Sequence, residues 1–187
     1  MRIIAGDLRG LRLAAVGKGD AGAHLRPTAD RVRESLFNVL TGGHFGDPLE
    51  GAQVLDLFAG TGALGLEALS RGANAAVFVE NGRVAQRLIA ENIAKAHCAP
   101  RATLIRRDAT RLGPAQGAPA KLVFLDPPYG KGLGAKALAA ATEGGWLAPG
   151  SLVVWEDNAP QPPPDGFAPL DTRRYGDTHV TLLRASA

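Results

Sequence analysis

"VLDLFAGTGALG", residues 54–65, decides the fold. "AQVLDLF", residues 52–58, reads as a strand carrying one carboxylate, Asp56. Gly60-x-Gly62-x-x-Gly65 follows at once, and "GALGLEALSRG" reads as a helix. A strand that feeds a glycine loop and then a helix opens a βαβ unit. The chain keeps that alternation going: "AAVFVE" is a strand, "RVAQRLIAENIAKAH" a helix, "ATLIR" and "KLVFLD" strands, "GAKALAAATEGGWL" a helix and "SLVVWE" a strand. After the proline-rich "APQPPPDG", "APLDTRRY" and "THVTLLRA" read as an antiparallel pair turning at Gly176-Asp177. The expected fold is therefore α/β, a mostly parallel seven-stranded sheet with an antiparallel last strand.

Upstream, "RIIAG" and "LRLAAV" around "DLRG" read as a β-hairpin, followed by the linker "GKGDAGAH". "RPTADRVRESLFNVLTGG" reads as a helix with Thr28 as N-cap and Val32, Leu36, Val39 and Leu40 on its apolar face. One domain is expected, with residues 1–45 as a basic extension and 46–187 as the core. Residues 1–33 carry seven basic side chains (Arg2, Arg9, Arg12, Lys18, Arg26, Arg31, Arg33) against three acids, a net of +4, whereas the remainder is −1. The excess positive charge thus marks the N-terminal segment for contact with a phosphate backbone, against the plainer reading of a solvated basic surface.

Composition narrows the classes further. With 45% hydrophobic and 21% charged residues the chain has the make-up of a folded globular protein. A single cysteine, Cys98, rules out an internal disulfide framework, and four histidines without ligand spacing give no metal site. No apolar run reaches the roughly 18 residues of a membrane span, and the N-terminus lacks an apolar signal region. A cytoplasmic location is expected.

The glycine loop alone leaves two ligands open. Glu80 ends the second strand at the spacing of the dinucleotide fingerprint, where an acid takes ribose hydroxyls, so a nicotinamide dehydrogenase fits. Asp56 argues the other way, because a carboxylate at the strand mouth repels a pyrophosphate and welcomes a cation. S-adenosylmethionine carries a sulfonium and an ammonium, keeps the ribose and has no phosphate. Phe58, Ala59, Gly60, Gly62, Glu80-Asn81 and, after the third strand, Asp108-Ala109 are the candidate cofactor residues. Asp108 is placed to accept from an adenine amino group, or is a plain loop aspartate.

The fourth strand ends in Asp126-Pro127-Pro128-Tyr129. Pro127 holds Asp126 extended, and neither proline has an N–H, so the segment offers the Asp126 carboxylate and the Pro127 carbonyl as fixed acceptors. Two acceptors suit a planar exocyclic amino group, whose hydrogens they take and whose lone pair they free. Tyr129 would stack on the base, which must be single-stranded or flipped out.

"LDPPY" together with "DLFAGTGALG" resembles the class I amino-methyltransferases. "MRIIAGDLRGLRL", "RPTADRVRESLFNVL", "LGLEALSRGA", "FVE" and "YGDTHVTLL" are similar to the bacterial 16S rRNA guanine(966)-N2-methyltransferase family. The resemblance runs from Met1 nearly to the C-terminus. It implies a class I Rossmann-like fold and transfer of methyl from S-adenosylmethionine to guanine N2, leaving S-adenosylhomocysteine. The implied partner is 16S rRNA in small-subunit particles; separately from the resemblance, a monomer is expected. The resemblance also implies that Arg26 and Thr28 lie at the cofactor edge, and that Arg9, Gly10 and Arg31, with Arg12 of the same basic segment, contact RNA. Two rivals stay open: a DNA adenine-N6 methyltransferase, which would need a sizeable recognition domain, and a noncatalytic RNA-binding assembly factor.

Overall fold

The computed structural model describes residues 1–15 and 30–186. Its strands are β1 (Gln53–Leu57), β2 (Ala75–Val79), β3 (Ala102–Ile105), β4 (Ala120–Leu125), β5 (Leu147–Asp157), β6 (Phe167–Tyr175) and β7 (Thr178–Ala185). The helices are α1 (Asp30–Thr41), α2 (Ala63–Ser70), α3 (Arg83–Lys95) and α4 (Leu133–Glu143). The strands form one sheet in the order β3-β2-β1-β4-β5-β7-β6. The neighbours β3 to β5 pair in parallel, and β7 runs antiparallel to both β5 and β6.

That order separates the two readings of the glycine loop. A dinucleotide-binding sheet runs 3-2-1-4-5-6 without a reversed strand. Here Gly176, at φ 63, turns the chain so that β7 slots back between β5 and β6.

Alternating apolar residues sort the core into two layers. Val54, Leu122, Phe124 and Val154 face Leu36 and Phe37 of α1, Leu66 of α2 and Ile89 of α3. Leu55, Leu57, Val123, Val153 and Trp155 face Ala137, Leu138 and Ala141 of α4. On the first face the Phe37 and Phe124 ring centroids are 5.6 Å apart. The Arg71 guanidinium lies 4.8 Å from the Phe37 centroid and adds a cation–π contact.

Residues 1–15 depart from the expected hairpin. Only one bridge, Arg2 to Arg12, joins the two arms, with Ile3 N–H donating to Leu11 carbonyl at 2.9 Å and Gly10 N–H to Ile3 carbonyl at 2.9 Å. The reason is that the first arm gives its donors to α2 instead of to a strand. Ile4 and Ala5 N–H bond the Glu67 carboxylate at 2.8 and 3.1 Å, Asp7 N–H bonds Ser70 carbonyl at 2.8 Å, and Leu8 N–H bonds Ser70 Oγ at 2.9 Å. A Cβ on Gly6 would sit 1.7 Å from Ser70 carbonyl oxygen, so only glycine permits this approach.

The basic segment divides accordingly. Arg2, Arg9, Arg12 and Arg31 are exposed. Arg33 is fully buried, which corrects its place among the surface cations. Its guanidinium bonds Arg2 carbonyl and pairs with Asp30 at 3.1 Å and Glu67 at 3.6 Å. The Thr28 cap and the linker lie outside the described residues.

Candidate active site

The carboxyl ends of β1, β2, β3 and β4 gather the predicted residues along one edge. β1 delivers Asp56 into the interior, 1% exposed, where its Oδ2 accepts the Gly65 N–H at 2.9 Å. Burial pushes this carboxyl up to about 8; the Gly65 N–H works against that rise and the Glu80 charge adds to it. The expectation of a charged group at the strand mouth is therefore modified: in the structure Asp56 lies beneath the loop and ties its far end to β1. Gly65 allows this closeness, because a Cβ there would meet the Phe78 ring at 2.4 Å.

The loop itself is built from left-handed backbone. Gly60 and Gly62 have φ of 58 and 77, and Phe58, which bears a side chain, has φ 60. A bulky residue held there costs on the order of 1–3 kcal/mol, and such strain gathers at ligand sites. Ala59 N–H donates to Val79 carbonyl at 3.1 Å and Gly62 N–H to Ala59 carbonyl at 2.7 Å, which fixes the loop against β2.

Glu80 completes that fixation. Its carboxylate accepts three backbone N–H groups, from Gly60 at 2.9 Å, Asn81 at 2.9 Å and Gly82 at 2.8 Å. A negative charge at the start of α3 also suits the helix dipole. Asp108 is engaged locally, with Oδ1 taking the N–H and hydroxyl of Thr110 at 2.9 and 2.8 Å as the cap of a single turn over a buried Ala109.

β4 carries Asp126 alongside β1, and its N–H donates to Leu57 carbonyl at 3.4 Å, so the two strand ends stay paired. Pro127 is buried and Pro128 exposed. Tyr129, half-buried, donates its hydroxyl to Glu156 Oε1 at 3.2 Å. Burial pushes the phenol up to about 12; a hydrogen bond with the Thr178 side chain works against that rise, and the charges of Glu156 and Asp126 add to it, so the phenol stays neutral and serves as a donor.

Two participants were missed by the sequence reading. Glu156 is the penultimate residue of β5 and Asp126 follows the last residue of β4, and an acid at the carboxyl end of the neighbouring strand was the available signal. Asn92 is fully buried on α3. Its Nδ2 donates to Thr61 carbonyl at 2.9 Å and its Oδ1 accepts Ala14 N–H at 2.6 Å, joining the glycine loop to the N-terminal segment. No sequence pattern distinguishes it from the polar positions of a helix.

Two of the residues expected to contact RNA lie away from this edge. Arg9 and Gly10 turn near Ser70, at the far end of eight-residue α2, roughly 12 Å along the helix from the loop. Gly10, at φ 86, meets the needs of that turn. Arg26 and Thr28 fall outside the described residues. Among the described residues no group of His, Cys, Asp or Glu side chains is arranged to hold a metal ion, and no helix is long and apolar enough to cross a membrane.

A sheet with one reversed strand beside β5, a glycine loop without a basic residue, and Asp-Pro-Pro-Tyr on the adjacent strand define a class I, S-adenosylmethionine-dependent methyltransferase. Comparison narrows this. A family model described as Conserved hypothetical protein 95 matches residues 1–184. Ribosomal RNA small subunit methyltransferase D of Escherichia coli (strain K12) is 39% identical over 156 residues, which are 83% of this chain and 74% of that protein. The protein of the same name from Haemophilus influenzae is 35% identical over 98% of this chain and 93% of its own. The solved Escherichia coli protein yhhF superposes with a TM-score of 0.83 at 35% identity, covering 100% of this chain and 98% of that one. The chain belongs to this family, whose curated members include the small-subunit ribosomal RNA methyltransferases D.

Proposed function

We propose that the protein transfers a methyl group from S-adenosylmethionine to the exocyclic N2 of a guanine in 16S rRNA, on a small-subunit assembly particle. The observation that carries this reading is the pairing of the Asp126 end of β4 with the Leu57 end of β1. It supports reading Asp126 and Pro127 as acceptors for an amino group beside the glycine loop.

The loop suits the donor. Glu80 is the acceptor type for two vicinal ribose hydroxyls and Asp108 for an adenine amino group. A loop free of Lys and Arg favours a cation over a pyrophosphate. Phe58, Ala59, Gly60, Gly62, Asn81 and Ala109 are proposed to line this side by their backbone, and Arg26 and Thr28 join them on the family resemblance alone. When bound, S-adenosylmethionine supplies a methyl group made electrophilic by its sulfonium.

The chain's own task is the nucleophile. The lone pair of a base amine is delocalised into the ring. Asp126 carboxylate and Pro127 carbonyl, accepting its two hydrogens, favour pyramidal N2 and strengthen as charge develops. Pro128 keeps the turn stiff, and Tyr129 supplies the stacking surface. Exposed Arg9, Arg12 and Arg31, with the turn at Gly10, meet the RNA backbone some distance from the reacting base.

Asp126→Ala tests the division of labour. It abolishes transfer while calorimetric binding of S-adenosylmethionine persists within about threefold. Parallel loss of both would assign Asp126 to the donor instead.

A further inference from the structure

The proposed mechanism leaves unused a buried carboxylate at the catalytic edge, Glu156. It is 7% exposed, one residue before the end of β5, and bonded to the hydroxyl of Tyr129. Its position follows from the sheet. Leu125 of β4 pairs with Trp155 of β5 in parallel register. Strands lie about 4.8 Å apart, so the next residues stand side by side, Asp126 just beyond the end of β4 and Glu156 still paired with Val180 of β7. Alternation sends both toward the face of Phe124 and Val154, the one covered by α1, away from Trp155 and α4. Tyr129 bonds Glu156 at 3.2 Å, and the charges of both carboxylates bear on its hydroxyl.

Holding a tyrosine hydroxyl needs only an acceptor, which a glutamine would supply without a buried charge. A carboxylate differs in being acceptor-only, with about four lone-pair positions, so it can take a tyrosine hydroxyl and a base edge together. Guanine is the base whose amino group adjoins a ring N–H: N1–H and N2–H point the same way. Adenine presents a lone pair at N1, which a carboxylate repels.

We propose that Glu156 is the guanine-selecting residue, accepting N1–H while Asp126 and Pro127 accept the hydrogens of N2. This rests on the reading of the site as a guanine-N2 methyltransferase. Paired carboxylates at the ends of neighbouring strands then read two adjacent donors of one base, and Tyr129 keeps Glu156 aimed while offering its ring to that base. The same pair disfavours adenine, which separates this chain from adenine-N6 enzymes by chemistry and not only by size.

The test replaces the acceptor guanosine in small-subunit RNA, assembled into particles, by 2-aminopurine riboside, which keeps the amino group but carries a lone pair at N1. Wild-type protein should prefer guanosine by at least about 100-fold in kcat/KM, as sites built to bond a substrate N–H do. Glu156→Gln, whose carboxamide can donate to a bare N1, should narrow that preference by at least about tenfold. Tyr129→Phe, which keeps the carboxylate, should slow both substrates and leave the preference in place. Wild-type use of 2-aminopurine within about threefold of guanosine would overturn the assignment, even if the Gln variant fails to fold. So would a Glu156→Gln variant that slows both substrates equally. Absence of transfer to guanosine by wild type would instead remove the underlying reading, and the selectivity assignment with it.

Discussion

Glu80 and Gly60, 20 residues apart in sequence, are joined by a 2.9 Å hydrogen bond from the Gly60 N–H to the Glu80 carboxylate. The bond clamps the tip of the cofactor loop to the start of α3, where Asn81 and Gly82 donate to the same side chain. Glu80→Ala takes the acceptor from three backbone donors, two part-buried and one exposed, at about 0.5–1.5 kcal/mol for each hydrogen bond lost. We expect a lower melting temperature and at least about tenfold weaker S-adenosylmethionine binding by calorimetry. Glu80→Gln, which retains an acceptor, should recover most of the stability and less of the affinity. Unchanged affinity in both variants would remove Glu80 from the donor site.

Asp56 makes stability depend on pH. Its folded value, about 8, lies above the ordinary 3.8, so the native state holds a proton that the unfolded chain releases. The stabilisation is fully present below about pH 3.8 and declines as pH rises to about 8. Asp56→Asn mimics the protonated carboxyl and keeps an acceptor for Gly65. Urea titrations between pH 5 and 8 should show a shallower fall in the variant than in wild type. Parallel curves would mean that Asp56 is ionised throughout.

Gly65 illustrates what the sequence could and could not disclose. The glycine spacing, Glu80 and Asp126-Pro-Pro-Tyr are periodic or positional signals, and they located the strand ends on which the site is built. The function of each glycine was not legible, because it depends on what lies across the sheet. Gly65 is a packing residue against Phe78, whereas Gly60 and Gly62 serve backbone shape. Asp56 read as a strand-mouth charge because sequence shows a carboxylate but not its burial. Residues 1–15 read as two strands because alternation is visible and the competing acceptors, Glu67 and Ser70, are some 60 residues away in sequence.

Gly65→Ala should destabilise the protein by about 1–3 kcal/mol, since its methyl group meets the Phe78 ring. Phe78→Leu, itself costly, should make the second change cheaper in a double-mutant cycle read by denaturant unfolding. Strict additivity would show that the two side chains do not compete for the space.

The arginines of the basic segment should separate into two behaviours. Arg33 is fully buried between Asp30 and Glu67, and Arg33→Ala empties that space and takes one cation from a carboxylate that keeps Arg71 at 2.7 Å, at about 1–3 kcal/mol. Its effect belongs in thermal unfolding. Arg9→Gln, Arg12→Gln and Arg31→Gln should leave melting within about 0.5 kcal/mol and reduce RNA affinity, each lowering the salt slope by about 0.7–0.9. A triple variant with unchanged slope would return these side chains to the role of solvated surface.

The central claim is met most directly by incubating the purified protein with labelled S-adenosylmethionine and small subunits from cells lacking the enzyme. The modified nucleotide is then mapped by mass spectrometry. The account predicts N2-methylguanosine at one position of 16S rRNA, absent with Asp126→Ala. A methyl group on an adenine or cytosine, or none while the donor still binds, would contradict it.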